Sequence, residues 1–425
     1  MKDSIKDYWK KSFHDWNYIF KEEMRTIFKD AGILIFFVLV PLAYPLLYTF
    51  IYTEETVRDV PVAVIDESNT TTSRDYLRRV DGTADVAIVA YCSNMEEARR
   101  LMRQRDIYGI IYIPSDFSKA IAKQQQTSVR IYVDMSGLLY YKALLTANTN
   151  VSLEMNAEIK IERAGNSTKE QDKLTEHPIA YEEVSIYNPQ SGFASFLIPA
   201  VLILIIQQTL LLGVGLAAGT AREHNLLREL APFSRQQRGL MRIVLGKSAA
   251  YLLVYLPIAV YVLGVVPKIF HLNQIGNPGI LALFVIPYLL ACIFFAMTLS
   301  GLVKRRETCI LLFVFSSIIL LFISGVSWPG SALPRLWQYV SYLFPSTFGI
   351  NGFLKINNMG ATLLEVRSEW AMLWGQALIY FCLTILIYRQ SIINSRKRSL
   401  EQYRTKRDKS CLLYTSPSPR DGATS

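Results

Sequence analysis

Gly246, Lys247 and Ser248 stand in the order of the last three residues of a phosphate-cradling loop, so the first chemistry to test is ATP binding. Such a loop needs a glycine five residues before Gly246 and a strand leading into it. Met241 occupies that position and a charged stretch precedes it, which excludes nucleotide hydrolysis by this route. Lys247 reads instead as an interfacial base at the start of an apolar run, its stem in lipid and its ammonium in water. His14, His177, His224 and His271 are scattered and no Cys/His spacing suits a metal,. Glu96 and Glu97 sit in an Arg-rich segment and read as a solvated helix face rather than an acid–base pair,. No cofactor, metal or catalytic residue is expected.

Two polar groups remain. The segment Ala221 to Arg242 mixes Arg222, Glu223, Arg228 and Glu229 with Leu226, Leu227 and Leu230 in a short helical pattern stopped by Pro232,. Charges that set register beside apolar anchors that supply affinity suit the docking of a soluble partner. Gln207, Gln208 and Thr209 lie inside an apolar run, where they either face a transport pathway or hydrogen-bond to a neighbouring helix,.

The elements that must carry these groups are six apolar runs: Ala31 to Tyr52, Phe193 to Ala218, Ile243 to Val266, Ile280 to Val303, Cys309 to Val326 and Trp370 to Tyr388. Each approaches the ~20 residues a helix needs to cross a hydrocarbon core. A helix satisfies its own backbone in lipid, so the expected fold is an α-helical membrane protein with six transmembrane helices.

The formal charge of +10 could suggest a nucleic-acid binder, but its distribution argues otherwise. Residues 53–190 hold 16 Lys or Arg against 21 Asp or Glu. The basic excess falls into clusters before the first run, between Arg222 and Lys247, at Lys304, Arg305 and Arg306, and from Arg389 to Lys409. Those clusters total 24 bases, against four (Lys268, Arg335, Lys355 and Arg367) in the alternate connections. Lys and Arg are retained on the cytoplasmic side of short loops, so both termini are expected inside and residues 53–190 outside. No nucleic acid is expected as a partner; the bilayer is.

The sequence therefore divides into an N-terminal segment 1–30, a first span 31–52, an extracytoplasmic domain 53–190 and the remaining spans in 191–390. The last of these includes an inner loop 219–242 and an outer, re-entrant or interfacial segment 328–369 rich in Pro, Trp and Tyr. A basic tail 391–410 follows. Within 53–190, β-branched runs at Pro61 to Asp66, Val86 to Tyr91, Ile107 to Pro114 and Val129 to Asp134 alternate with helical patterns at Met95 to Arg105 and Ser115 to Gln125. Alternation of this kind predicts an inserted α/β domain. A long helix is expected from Leu138 to Ile161, then a polar loop, Gly165 to Glu176. Cys92 is alone in this block and cannot close an internal disulfide,. Before the first span, Phe13, Trp16, Phe20, Met24 and Ile27 recur at steps of three and four, the pattern of an interfacial amphipathic helix,. The tail Cys411 to Ser425 breaks abruptly from the basic run and reads as translated sequencing adapter rather than native chain,.

In this order, several local features resemble the permease subunits of type-2 ABC exporters from about Phe20 to Tyr388. They are Lys21, Glu22, Glu23 and Asp30 entering a span with Pro41; Pro61 to Asp66 with Ser73; Ile113, Pro114, Asp116 and Phe117; Asn188 and Pro189; Arg222 and Glu223; Gly246 and Lys247; and Ser324, Gly325 and Pro329 with Pro345. The resemblance implies that the inner loop is a coupling helix receiving a separate ATPase subunit. Glu223, Arg228, Glu229 and Pro232 inherit that role, with Arg222, Leu230, Gly246 and Lys247 completing the set. Family members often carry Gly then Thr shortly after the Glu, where this chain has Asn225 and Leu226. The resemblance also implies export of a drug, lipid or other amphipathic substrate across a bacterial inner membrane. A periplasmic adaptor and an outer-membrane channel are possible partners. Six spans are too few to enclose a gated pathway, so a homodimer or a pair with a similar permease is expected.

Two other classes compete. An ion-driven transporter would place ionisable residues mid-membrane and show internal repeats, and neither is seen. A membrane-anchored receptor or structural protein would use the outer domain for ligand, but five trailing spans exceed what anchoring needs.

Overall fold

Asp30 divides the N-terminal fifty residues into two helices. Its carboxylate accepts hydrogen bonds from the amides of Gly32 (2.9 Å) and Ile33 (3.3 Å), ending α1 (Lys2–Lys29) and capping α2 (Ala31–Ile51),. The computed structural model describes residues 2–53, 56–165, 168, 170–171, 174, 186–188, 192–234, 239–325, 328 and 330–414. Most of the expected loop after Gly165, Pro189, Arg235, Arg238, Pro329 and the tail from residue 415 lie outside these.

The chain separates into two units, one of residues 54–192 and one of the rest. In the smaller unit, β1 (Val60–Asp66), β2 (Val86–Tyr91), β3 (Gly109–Ile113) and β4 (Arg130–Val133) form a sheet in the order β2-β1-β3-β4. β1 is parallel to both its neighbours and β4 is antiparallel to β3. α3 (Thr71–Asp81), α5 (Phe117–Ala122) and α6 (Leu138–Ala164) cover one face, and α4 (Met95–Gln104) packs on the other. The expected helix from Ser115 to Gln125 is shorter because Pro114 precedes it and Gln124 adopts φ +58°. Two segments that the sequence showed 40 residues apart meet at the carboxyl ends of β1 and β3. Asp66 accepts from Ser73 Oγ (2.7 Å) and the Ser68 amide (3.0 Å), and Thr70 shares a hydrogen bond with Ser118.

In the larger unit, α2, α7 (Phe193–Glu223), α9 (Gly239–Ile269), α10 (Pro278–Leu302), α11 (Arg306–Ile323) and α14 (Arg367–Tyr414, span Arg367–Glu401) are long and apolar enough to cross a membrane. Each span was expected from its apolar run; α7, α9 and α14 extend past that run because charged residues continue the helix into the interface. α7 is the hub, its apolar window almost wholly covered by the others. Gly213 makes that packing possible: a Cβ there would lie 2.2 Å from the Phe37 ring, which stacks on Tyr251 (5.5 Å) and meets Tyr255 edge-on.

The inner loop is a 3-10 turn, Leu226–Leu230, followed by α8 (Ala231–Ser234). Pro232 was expected to stop a helix and instead lies in the first turn of one, where its missing N–H has no helical acceptor to lose,. Beyond α11, α12 (Arg335–Ser341) leads to α13 (Pro345–Met359). Gly349 and Gly352 seat α13 against α10, since a Cβ at either would lie within 2.5 Å of the Tyr288 or Phe284 ring.

Candidate functional site

The inner ends of the spans are tied by charge. α1 lies on α9 through two ion pairs, Asp15 with Arg242 (2.9 Å) and Glu23 with Lys247, and Glu23 also accepts from the Tyr251 hydroxyl. Glu23, Lys247 and Tyr251 are all buried. Gly246 allows the approach: a Cβ would stand 3.0 Å from Ile19 and 3.2 Å from the Trp16 carbonyl. Lys247 therefore does not snorkel. A buried ammonium is tolerated here because a carboxylate faces it, and losing either partner would cost about 3–5 kcal/mol. Ile19, Glu23 and Ile27, four residues apart, form the face of α1 that meets the bundle. Phe13, Trp16 and Phe20 form a stacked row beside it, and Phe13 is exposed.

A second knot joins α2, α7 and α11. Arg306 donates to both Asp30 oxygens (2.6 and 2.9 Å), while Glu223 accepts from the Arg306 amide (2.8 Å) and so caps the first turn of α11,. Burial alone would raise the Asp30 carboxyl, but hydrogen bonds from Arg306 and from the Ile33 and Gly32 amides, with the Arg306 charge, hold it below its ordinary value,. Its contribution to stability is thus present at neutral pH and lost only as pH falls through that depressed value.

Arg222 closes a third. Its guanidinium donates to the carbonyls of Ser300 and Val303 at the end of α10 and to Ser391 Oγ of α14 (3.3 Å). Helix C-termini leave such carbonyls unpaired, and a cation there also complements the helix dipole. Asn225 follows α7 in the left-handed region, φ +55°, and hydrogen-bonds Ser399 (2.7 Å) and Ser395 of α14. Asparagine tolerates that conformation as glycine does, which gives a backbone reason for Asn225 at this position.

Of the residues expected to receive a partner, Arg222, Glu223, Gly246 and Lys247 are thus engaged inside the protomer. Arg228, Glu229 and Pro232 are exposed, and Leu230 is half-buried. Among the described residues, the Arg228 and Glu229 side chains form no hydrogen bond or ion pair. Leu227 is buried beneath them, and Phe233 stacks on Tyr18 of α1 (5.7 Å). These two charges, without side-chain partners among the described residues, stand on a short turn whose flanking Arg222 and Asn225 bond to α10 and α14, and they are available to an outside contact.

The three polar residues of α7 separate in role. Gln207 Oε1 accepts from the Ser346 amide (2.7 Å), capping α13. Thr209 donates to its own helix at Ile205 (2.7 Å). Gln208 is buried with neither amide atom paired. Gln376 of α14 donates to the Tyr342 carbonyl (2.8 Å) and Tyr380 to the Leu343 carbonyl. Gln207 and Tyr380 lie about 20 Å along their helices from Phe193 and Arg367, at 1.5 Å per residue. The turn Tyr342 to Ser346 thus lies well within the length of both helices, and side chains satisfy its backbone there,.

Residues 31–386 match the family model described as ABC-2 family transporter protein. The chain belongs to that family. Its members are membrane subunits of ABC transporters, so this is a multi-pass membrane protein, and the receptor alternative falls away. Among curated proteins it is similar to the linearmycin resistance permease protein LnrN of Bacillus subtilis (strain 168), with 24% identity over 403 aligned residues that cover 84% of this chain and 95% of that one.

Asp15, Arg242, Arg306 and Asn225 carry much of this site and none had been singled out as functional. Arg306 had been counted only as a topology signal. The one local clue was Asp30 after a run of bases, a cap signature at the mouth of a span.

Proposed function

We infer that the chain is the membrane-spanning half of an ATP-driven exporter, powered by a separate ATPase that docks on the exposed turn 226–232. The observation that carries this reading is the pair Arg228 and Glu229, unpaired on a turn whose neighbours Arg222 and Asn225 grip α10 and α14. A push on that turn reaches three spans at once, and a coupled machine needs an element that its partner can bias between two arrangements. Hydrolysis belongs to the ATPase, and this chain has only transport to contribute.

The charge distribution supports cytoplasmic termini and an inserted α/β unit on the outer side, and the Bacillus relative supports a bacterial cell membrane,. A homodimer, or a pair with a similar permease, would enclose the pathway. A resistance permease among the relatives supports outward movement of a hydrophobic or amphipathic compound. Where the source cell has an outer membrane, the inserted unit would hand that compound to an adaptor and channel.

Reconstitution tests the reading. Vesicles holding this chain with a cognate Walker-motif ATPase should transport an amphipathic substrate on addition of ATP, and vesicles holding this chain alone should not. Nucleotide cleavage or transport by the chain alone would overturn it.

A further inference from the structure

A groove of about 270 Å³ runs between α9 and α10 near the 270–277 connection, lined by Leu256, Val260, Gly264, Ala282 and Ile286. Its floor exists because residue 264 lacks a side chain. A Cβ on Gly264 would meet nothing within 4 Å, and its φ lies outside the glycine-only region, so neither packing nor backbone demands a glycine there. Leu256, Val260 and Ile286 are exposed along it. These residues belong to two membrane-crossing helices, so the medium at the groove is hydrocarbon.

The end of the groove is different in character. Lys268 lies in the last turn of α9, four residues beyond Gly264, is exposed, and forms no hydrogen bond or ion pair among the described residues. Asn277 caps α10, whose N-terminus opens at Pro278 on the groove's rim. A helix N-terminus and a lysine both favour negative charge. Residues 267–279 contain no Asp or Glu to oppose them.

We propose that this groove is a binding site for an anionic phospholipid, its acyl chain between α9 and α10 and its phosphate at Lys268. From Leu256 to Gly264 the groove follows α9 for about 12 Å, room for a substantial run of methylenes, each contributing favourable burial. A second copy of this chain fits less well. A two-fold contact through this face would set Lys268 against its own counterpart and the α10 N-terminus against another. The site does not depend on the ATPase, so it stands or falls separately from the exporter reading.

The test uses the full chain, stripped of lipid in detergent and titrated with phosphatidylglycerol or phosphatidylcholine, with bound lipid counted by native mass spectrometry. Phosphatidylglycerol should bind at least tenfold more tightly than phosphatidylcholine. Gly264→Leu should abolish that binding, and Ala282→Leu on the facing wall should do the same; unchanged thermal unfolding shows that either variant is folded. Lys268→Gln should reduce phosphatidylglycerol to the level of phosphatidylcholine. Equal binding of the two lipids by the parent chain, or undiminished binding by both groove-filling variants, overturns the proposal. So would disulfide-linked pairs formed by Val260→Cys and not by the parent chain, which would put a second copy on this face.

Discussion

The inner ends of the spans and the turn Tyr342 to Ser346 face the same problem, joining helices distant in sequence, and solve it with different chemistry. The inner knots use full charges: Glu23 with Lys247, Asp30 with Arg306, and Arg222 on the α10 carbonyls. The turn at Tyr342 to Ser346 uses neutral groups only, Gln207, Gln376 and Tyr380. We read the difference as one of depth in the bilayer. Near the interface an ion pair can form with water close by during assembly, whereas a charge at mid-membrane costs several kcal/mol even by the mildest scales. A neutral amide can hold irregular backbone there without that penalty.

The largest effect should come from halving an inner pair. Glu23→Ala strands the Lys247 ammonium against Tyr251 and should cost about 3–5 kcal/mol, read as a lowered denaturation midpoint in detergent. Glu23→Leu with Lys247→Met should recover most of it. Failure of the double variant to recover would mean that α1 needs the charges for more than docking on α9. A smaller effect is expected in the turn Tyr342 to Ser346: Gln207→Leu leaves the Ser346 amide without its acceptor and should cost about 1–3 kcal/mol, one unsatisfied buried group. If that variant proved as costly as Glu23→Ala, the contrast between charged and neutral fastening would lose its basis.

What could be read in advance follows the same division. The spans, the strands and the length of α6 were legible because hydropathy and alternation are local signals. The inward face of α1 was not. Glu23 looks like a solvent residue until Lys247, more than 200 residues away, is brought against it, and no periodicity reports a partner at that distance. Glu223 looked as free as Glu229, yet the start of α11 claims it. The turn Tyr342 to Ser346 was legible only as part of a Pro-, Trp- and Tyr-rich segment, and nothing local named Gln207 and Gln376 as the side chains that satisfy it.

The smallest effect on stability, and the largest on function, belongs to Arg228 and Glu229, whose side chains bond to nothing among the described residues. Changing both to Ala should leave unfolding within about 0.5 kcal/mol of the parent, as for a surface site. Co-purification of a cognate ATPase with that double variant is the most direct measure of whether an external motor grips this turn. Loss of the ATPase from a fully folded variant is the predicted result; retention at the parent level would contradict the account.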